Sequence, residues 1–383
     1  MKYAVGLTAC VAVLMTSCGS DSSFDAGPPA DSISIAPLDQ ALTFARAPIG
    51  DTVHLIAVLA YDDTTITGVD LSNVLTDSPT DPIDVFNAHG YESLQTIIEN
   101  ASPDSHVTVA TTELEIPATL TDAHIAAGTN FADHAEEATV EDGPFLFAKL
   151  VEPTGPYASV SAGEALLDYE VELAFVTLES MPLDQSPKTM GLILCNDFTD
   201  RATLLRHIDP SDVTSGIGFT TGKSAPGFLP VGNLFVIPRD LRAFVRDIEL
   251  HLSVNGESRQ QAPMSYAIWD LDELFKQTLA REDTTWDHLG DDVRLPVDDS
   301  AVPARTLFMA GTPGGTVFAG VSNSTMARGA LRWVFGGWGD PVATHVVENY
   351  IATARKRADY LQPGDHVAIR VNRMGEVDTV VTE

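Results

Sequence analysis

Positive charge is what this chain has least of. Six lysines serve 383 residues, no Lys or Arg falls between Ala47 and Ala148, and 22 Lys and Arg face 54 Asp and Glu, a formal net charge of −32. Such a surface repels nucleic acid, whose binding rests on cationic contacts to phosphate, and gives no polybasic handle to anionic lipid. Cysteine is also scarce. Of three, Cys10 and Cys18 lie at the extreme N-terminus and Cys195 stands alone, so the folded part can close no internal disulfide. Cys195 sits in the apolar, strand-like run Met190–Phe198 and reads as a buried thiol. Several motifs are missing too. Gly320–Ser324 lacks the closing glycine of a nucleophile elbow. Gly216-Ile217-Gly218 has no third glycine at the right offset, and there is neither a Walker A loop nor His-Glu-x-x-His.

What is present begins with a targeting segment. Lys2 supplies a positive end, and the apolar run Ala4–Met15 has signal-peptide length and is too short to span a bilayer. It ends in Met15-Thr16-Ser17-Cys18, which resembles the lipobox of bacterial lipoproteins and implies lipidation of Cys18. Residues 1–18 are therefore expected to be a signal peptide and residues 19–36, rich in Ser, Asp, Gly and Pro, a flexible linker. The expectation is an exported lipoprotein facing the periplasm or the cell exterior, touching membrane only through that anchor. The remaining length suits two units: residues 37–118, a small α+β domain with a strand-like run at Val53–Tyr61 and a helical patch at Tyr91–Asn100, and residues 119–383, where the chemistry concentrates.

Within the second unit the stretch Leu166–Val176 alternates. Leu167, Tyr169, Val171, Leu173 and Phe175 share one face of an extended strand, and Asp168, Glu170 and Glu172 share the other. Carboxylates at i and i+2 stand about 7 Å apart along a strand, near enough to converge on one cation. The plain alternative is a half-buried strand with a solvated acidic face. His134 and Glu137 lie at i, i+3, on one face if their segment is helical. A carboxylate there can fix the tautomer of an imidazole that takes a proton from water.

Taken in order, these pieces form a series. The segment around Asn130, Phe131, His134 and Glu137 comes first, then Thr154-Gly155-Pro156 and the acidic strand. Asn196–Arg201, Gly222-Lys223-Ser224, the Val254-Asn255-Gly256 hairpin signal and Gly311-Thr312-Pro313 follow. In this order the series resembles the fumarylacetoacetate hydrolase family. The resemblance implies an α+β, mostly β fold with a mixed β-roll or sandwich in the C-terminal domain, a homodimer, and a divalent metal held by Glu170, Glu172 and Asp197. An all-oxygen site of this kind suits Mg²⁺, with Mn²⁺ or Ca²⁺ as alternatives.

The resemblance further implies roles for His134 and Glu137 as a general-base dyad, for Lys223 as the ammonium that stabilises an enolate, and for Arg201 and Thr312 as holders of a substrate carboxylate. The substrate so implied is a small 2-oxo or β-diketo acid of the acylpyruvate type, cleaved hydrolytically at a C–C bond. Decarboxylation, isomerisation or hydration of a related acid, or binding without turnover, are the alternatives. Three features depart from the family pattern. Ala225-Pro226-Gly227 replaces Phe-Asp-Thr after the lysine, Leu204 stands where a Gln is usual, and residues 317–359 form a longer segment with a probable helix over Thr344–Tyr360.

Overall fold

The computed structural model describes residues 32–137, 143–318 and 342–383. The expected signal peptide, Cys18 and most of the linker lie outside these residues, as do Trp333 and Trp338. The centre is one ten-stranded sheet. Its strands in chain order are β1 (Ala41–Ile49), β2 (Thr52–Tyr61), β3 (Thr65–Asp70), β4 (His106–Ala110), β5 (Ala123–Gly128), β6 (Phe145–Leu150), β7 (Val171–Val176), β8 (Gly191–Asn196), β9 (Phe235–Pro238) and β10 (Leu307–Met309). In space they run β4-β3-β2-β1-β9-β8-β7-β10-β5-β6. All neighbours are antiparallel except β10 and β5.

A five-stranded sheet covers one face. Glu249–Val254 and Glu257–Pro263 form a hairpin in it, and Asn255 and Gly256 both take the positive φ that a two-residue hairpin loop of the mirror type requires. Between the sheets lies a core to which β7 gives Val171, Leu173 and Phe175 and the second sheet gives Leu250, Leu252, Val367, Ile369 and Val377. Alternate residues Ala174 and Val176 point the other way, into a second core. There they meet Phe145, Phe147 and Cys195, with Phe219 of a short helix and Ile83, Leu94 and Ile98 of a longer one. The alternation read from the sequence is thus real, but both faces are covered. The acidic face of Leu166–Val176 is buried, which corrects the solvated alternative. Burial, then the charge of Glu172, pushes the Cys195 thiol well up, so it stays an inert core residue.

Five of the described helices bear on the site or its packing and are labelled α1 (Pro82–Glu99), α2 (Ala132–Glu137), α3 (Arg201–His207), α4 (Phe219–Lys223) and α5 (Val342–Arg357); Leu71–Val74, Leu241–Arg246 and Leu271–Leu279 are helical as well. On α5, Ile351 and Ala354 pack against Leu166 and Ala202, so this helix closes onto the domain.

Candidate metal centre and its surroundings

The site forms where the second core gives way to acids at the N-terminal end of β7. Regular pairing stops between Asp168 and Val171 because three successive amides are taken by side chains. The Tyr169 N–H donates to Asp168 Oδ1 at 2.9 Å, the Glu170 N–H to Asn196 Oδ1 at 2.9 Å, and the Val171 N–H to Gln260 Oε1 at 2.9 Å. This break lets Glu170 and Glu172 turn toward Asp197, which follows β8. One ligand oxygen from each of Glu170, Glu172 and Asp197 lies within 4.8 Å of the others, and all three residues are buried.

Cations crowd the same place. Lys223 Nζ, at the end of α4, donates to Glu170 Oε2 at 2.6 Å and to Asp197 Oδ2 at 2.7 Å. Its stem passes over the Phe147 ring, with Nζ 5.8 Å from the centroid. Burial works against its charge, yet Asp197 and Glu170 hold the ammonium above its ordinary value. Arg201 donates through Nε to Asp168 Oδ2 at 2.8 Å and through Nη2 to Glu170 Oε1 at 2.6 Å. The guanidinium fork expected to meet a substrate carboxylate is therefore occupied by the chain's own acids.

Burial alone would raise Glu170, but Lys223, Arg201 and His134 together hold it below the usual carboxylate range. Glu172 differs. Burial, then the charges of Asp197 and Glu170, push it well above that range. Among the described residues it has no cationic partner, only the Gly311 N–H on its Oε2 at 2.8 Å. Four buried carboxylates (Asp168, Glu170, Glu172, Asp197) thus face three buried cations (Lys149, Arg201, Lys223). The acid without a cationic partner, Glu172, is the one held toward its neutral form. The all-oxygen donor set fits a hard divalent cation held by Glu170, Glu172 and Asp197.

The dyad segment is a helix, as the i, i+3 spacing requires. On α2, His134 Nδ1 stands 3.9 Å from Glu137 Oε2, close but outside hydrogen-bond reach. Glu137 meanwhile accepts the Gly315 N–H at 2.9 Å, and the buried His134 Nδ1 has no hydrogen-bond partner among the described residues. The helix start is anchored by Asn130. Its amide donates to the carbonyls of Trp269 (3.0 Å) and Ala310 (2.8 Å) and accepts from the Trp269 N–H at 2.7 Å. Thr312 is buried two residues beyond Ala310, and its Oγ1 accepts from Gln260 Nε2 at 2.8 Å, which leaves its own proton to donate.

Three residues have roles that the sequence reading does not assign. Asp168 holds Arg201 and also accepts the N–H groups of Val317 and Phe318. Gln260 ties the acidic strand to the Thr312 loop. Lys149 is completely buried against Asp197. Asp168 is visible on the acidic face without a role, and Lys149 leaves a trace of another kind: a lysine inside an apolar strand, in a chain with six.

Comparison with known proteins identifies the family and the fold. The profile of the fumarylacetoacetate (FAA) hydrolase C-terminal family matches residues 123–382. An oxaloacetate decarboxylase of Dictyostelium discoideum is 26% identical over 164 residues, 40% of this chain and 71% of that protein. An oxaloacetate tautomerase of Oryza sativa subsp. japonica is 30% identical over 165 residues, 39% of this chain and 69% of that one. Two uncharacterised proteins of Staphylococcus epidermidis are matched over only 50% of their own length. Among solved structures, a fumarylacetoacetate hydrolase from Exiguobacterium antarcticum shares the fold with a TM-score of 0.54 at 19% identity, over 89% of this chain and 99% of that one. A 5-carboxymethyl-2-hydroxymuconate delta-isomerase from Mycobacterium smegmatis does so with a TM-score of 0.51 at 18% identity, over 89% and 98%. The chain belongs to the fumarylacetoacetate hydrolase family, whose C-terminal domain it carries at residues 123–382.

Proposed function

We propose that the chain is a metal-dependent enzyme acting on a small anionic 2-oxo or β-diketo acid, which it cleaves hydrolytically between the two carbonyls. The observation that carries this reading is the buried convergence of Glu170, Glu172 and Asp197, of which Glu172 has no cationic partner among the described residues. A divalent cation bound there supplies polarisation of the substrate carbonyl and stabilisation of enolate charge. The rest is the work of side chains. His134, steadied by Glu137, takes a proton from water as its oxygen attacks the acyl carbonyl carbon. The C–C bond breaks, its electron pair passes into an enolate, and the ammonium of Lys223 faces the oxygen that gains the charge. A proton returned to carbon completes a carboxylic acid and a 2-oxo acid. The Thr312 hydroxyl donates to the substrate carboxylate, while Arg201 holds Glu170 and Asp168 in place.

A second reading is favoured by the names of the sequence relatives, an oxaloacetate decarboxylase and oxaloacetate tautomerases. The same groups, without water attack, would move a proton between carbon and oxygen or release CO₂ from an oxaloacetate-like acid. One experiment separates the two. Purified protein with Mg²⁺ is given an acylpyruvate and, separately, oxaloacetate, followed in the ultraviolet before and after chelator. Chelator-sensitive loss of the acylpyruvate supports hydrolysis; loss or tautomerisation of oxaloacetate alone supports the second reading. Activity on neither would leave a binding protein or a substrate other than these two. In the active assay, His134→Ala is expected to lower kcat by about 10²–10⁴-fold with little change in KM.

Export, lipidation at Cys18 and a homodimer belong to the same proposal and rest on the sequence reading. Cys18→Ser should release the protein from the membrane fraction, and sedimentation of the soluble form should give twice the chain mass.

A further inference from the structure

Donors of the chain engage both oxygens of Glu170 and of Asp197 and one oxygen of Glu172. Glu170 Oε1 is held by Arg201 Nη2, Glu172 Oε2 by the Gly311 N–H, and Asp197 Oδ1 by Lys149 Nζ. The other oxygens of Glu170 and Asp197 meet at Lys223. Asp197 has the strongest of these restraints. Lys149 is wholly buried, and its ammonium has three acceptors: Asp197 Oδ1 at 2.5 Å, the Lys223 carbonyl at 2.6 Å and the Phe228 carbonyl at 2.8 Å. An ammonium has three protons, so none is left for a substrate. The two carbonyls flank the segment in which this chain reads Ala225-Pro226-Gly227, and the Leu150 N–H next door donates to Ser224 Oγ at 2.9 Å. One side chain therefore fixes both the third carboxylate and the main chain that carries Lys223.

Lys149 can do this because of where the strand places it. On β6 it shares a face with Phe145 and Phe147, and these rings are sealed by Phe219 of α4 at centroid distances of 4.6 and 5.5 Å. Burying an ammonium there costs several kcal/mol unless it is fully paired. Here it is.

We propose that Lys149 is a positioning residue which makes Asp197 a one-oxygen ligand and thereby biases the site toward a small octahedral cation, Mg²⁺ or Mn²⁺, over Ca²⁺. The inference rests on the reading that Glu170, Glu172 and Asp197 hold a divalent ion. Ca²⁺ gathers six to eight oxygens and commonly takes a carboxylate through both, whereas Mg²⁺ is content with single oxygens and retained water. Both Asp197 oxygens accept from an ammonium, but Lys149 has all three protons committed and Lys223 only two, so Oδ2 is the oxygen that an ion can take by displacing Lys223, and two-oxygen coordination is disfavoured.

The test is calorimetric titration of the full chain with Mn²⁺ and with Ca²⁺, without substrate. Wild type is expected to bind Mn²⁺ at least about ten-fold more tightly than Ca²⁺, and Lys149→Met to narrow that ratio by about ten-fold. An unchanged ratio in a folded Lys149→Met protein, or a wild type indifferent to the two ions, overturns the proposal. If Lys149→Met does not fold, the nearly isosteric Asp197→Asn decides. Lys149 can only donate, so it takes the amide oxygen and turns the NH₂ toward the ion. A loss of Mn²⁺ affinity of about 100-fold or more is the supporting result, and a smaller loss overturns it. Failure of wild type to bind either ion would remove the functional proposal as well. Mn²⁺ binding and turnover that persist with an unaltered ion preference would remove this inference alone.

Discussion

His124 and Lys149 are opposite one another in the β5–β6 ladder, both fully buried. The Leu307 N–H donates to His124 Nδ1 at 3.3 Å, so that nitrogen must keep its lone pair. Burial, then the neighbouring Lys149 charge, lowers His124 to about 3. The unfolded value is about 6.5, above the folded one, so the folded state resists the proton. The stability this contributes is complete above about pH 6.5 and is lost as pH falls toward 3, at most ~1.4 kcal/mol per pH unit. Urea unfolding between pH 7 and 4 should therefore show a steep loss of stability in wild type. His124→Asn keeps an acceptor for Leu307 and cannot take the charge, so its curve should be flatter by about 1 kcal/mol per unit. Parallel curves would show that His124 is not the group being protonated.

At this scale the sequence was informative wherever partners were close in the chain. The Glu170/Glu172 alternation and the His134/Glu137 spacing are local patterns, and the structure places those side chains on the faces the patterns specify. The restraints on them are not local. Lys149 meets Asp197 across 48 residues, Gln260 meets Val171 across 89 and Gly311 meets Glu172 across 139. No spacing rule reaches that far.

Among the elements, the packing of α3 on α4 explains why an apolar side chain suits position 204. Leu204 is buried in the second core, and Gly222 lies against it. A methyl on Gly222 would fall 2.7 Å from Leu204 Cβ and 2.9 Å from its Cα, and the latter is main chain that cannot swing aside. Gly222→Ala should therefore push the end of α4 outward and carry Lys223 with it. A loss of about 1–3 kcal/mol is expected from the overpacking, read as a lowered Tm. A drop in kcat should exceed what the stability loss alone produces at the assay temperature. An unchanged Tm would mean that α4 has slack that the close contact denies. Other elements were harder to read. The helix expected from Tyr91 begins at Pro82, capped by Asp81, because Gly90 at φ 70°, ψ 170° splits it into two short halves whose periodicities do not join. The α5 helix, by contrast, was visible from its apolar spacing and differs from expectation only at its ends.

For the whole molecule the informative fact is that β1 pairs with β9, so the strands of residues 37–118 continue the sheet that carries Glu172 on β7. The core between the sheets likewise includes Ala45 and Ile56 together with Val236 and Val377. Separate unfolding of the first unit would uncover one edge of β9 and part of that core. A single calorimetric transition is therefore expected, with equal van't Hoff and calorimetric enthalpies. Two resolved transitions would show that the shared sheet does not couple the units. That transition should also depend on salt. At a net charge of −32 the folded surface repels itself more than an expanded chain does. Screening shortens from about 30 Å at 0.01 M to about 3 Å at 1 M. The buried ions around Asp197 are sheltered from that change, whereas the long-range surface repulsion is not. Raising NaCl across this range should raise Tm by several degrees and leave divalent-ion preference untouched. A Tm that falls with NaCl would mean that the surface ion pairs, such as Arg206 with Glu348, outweigh the net repulsion.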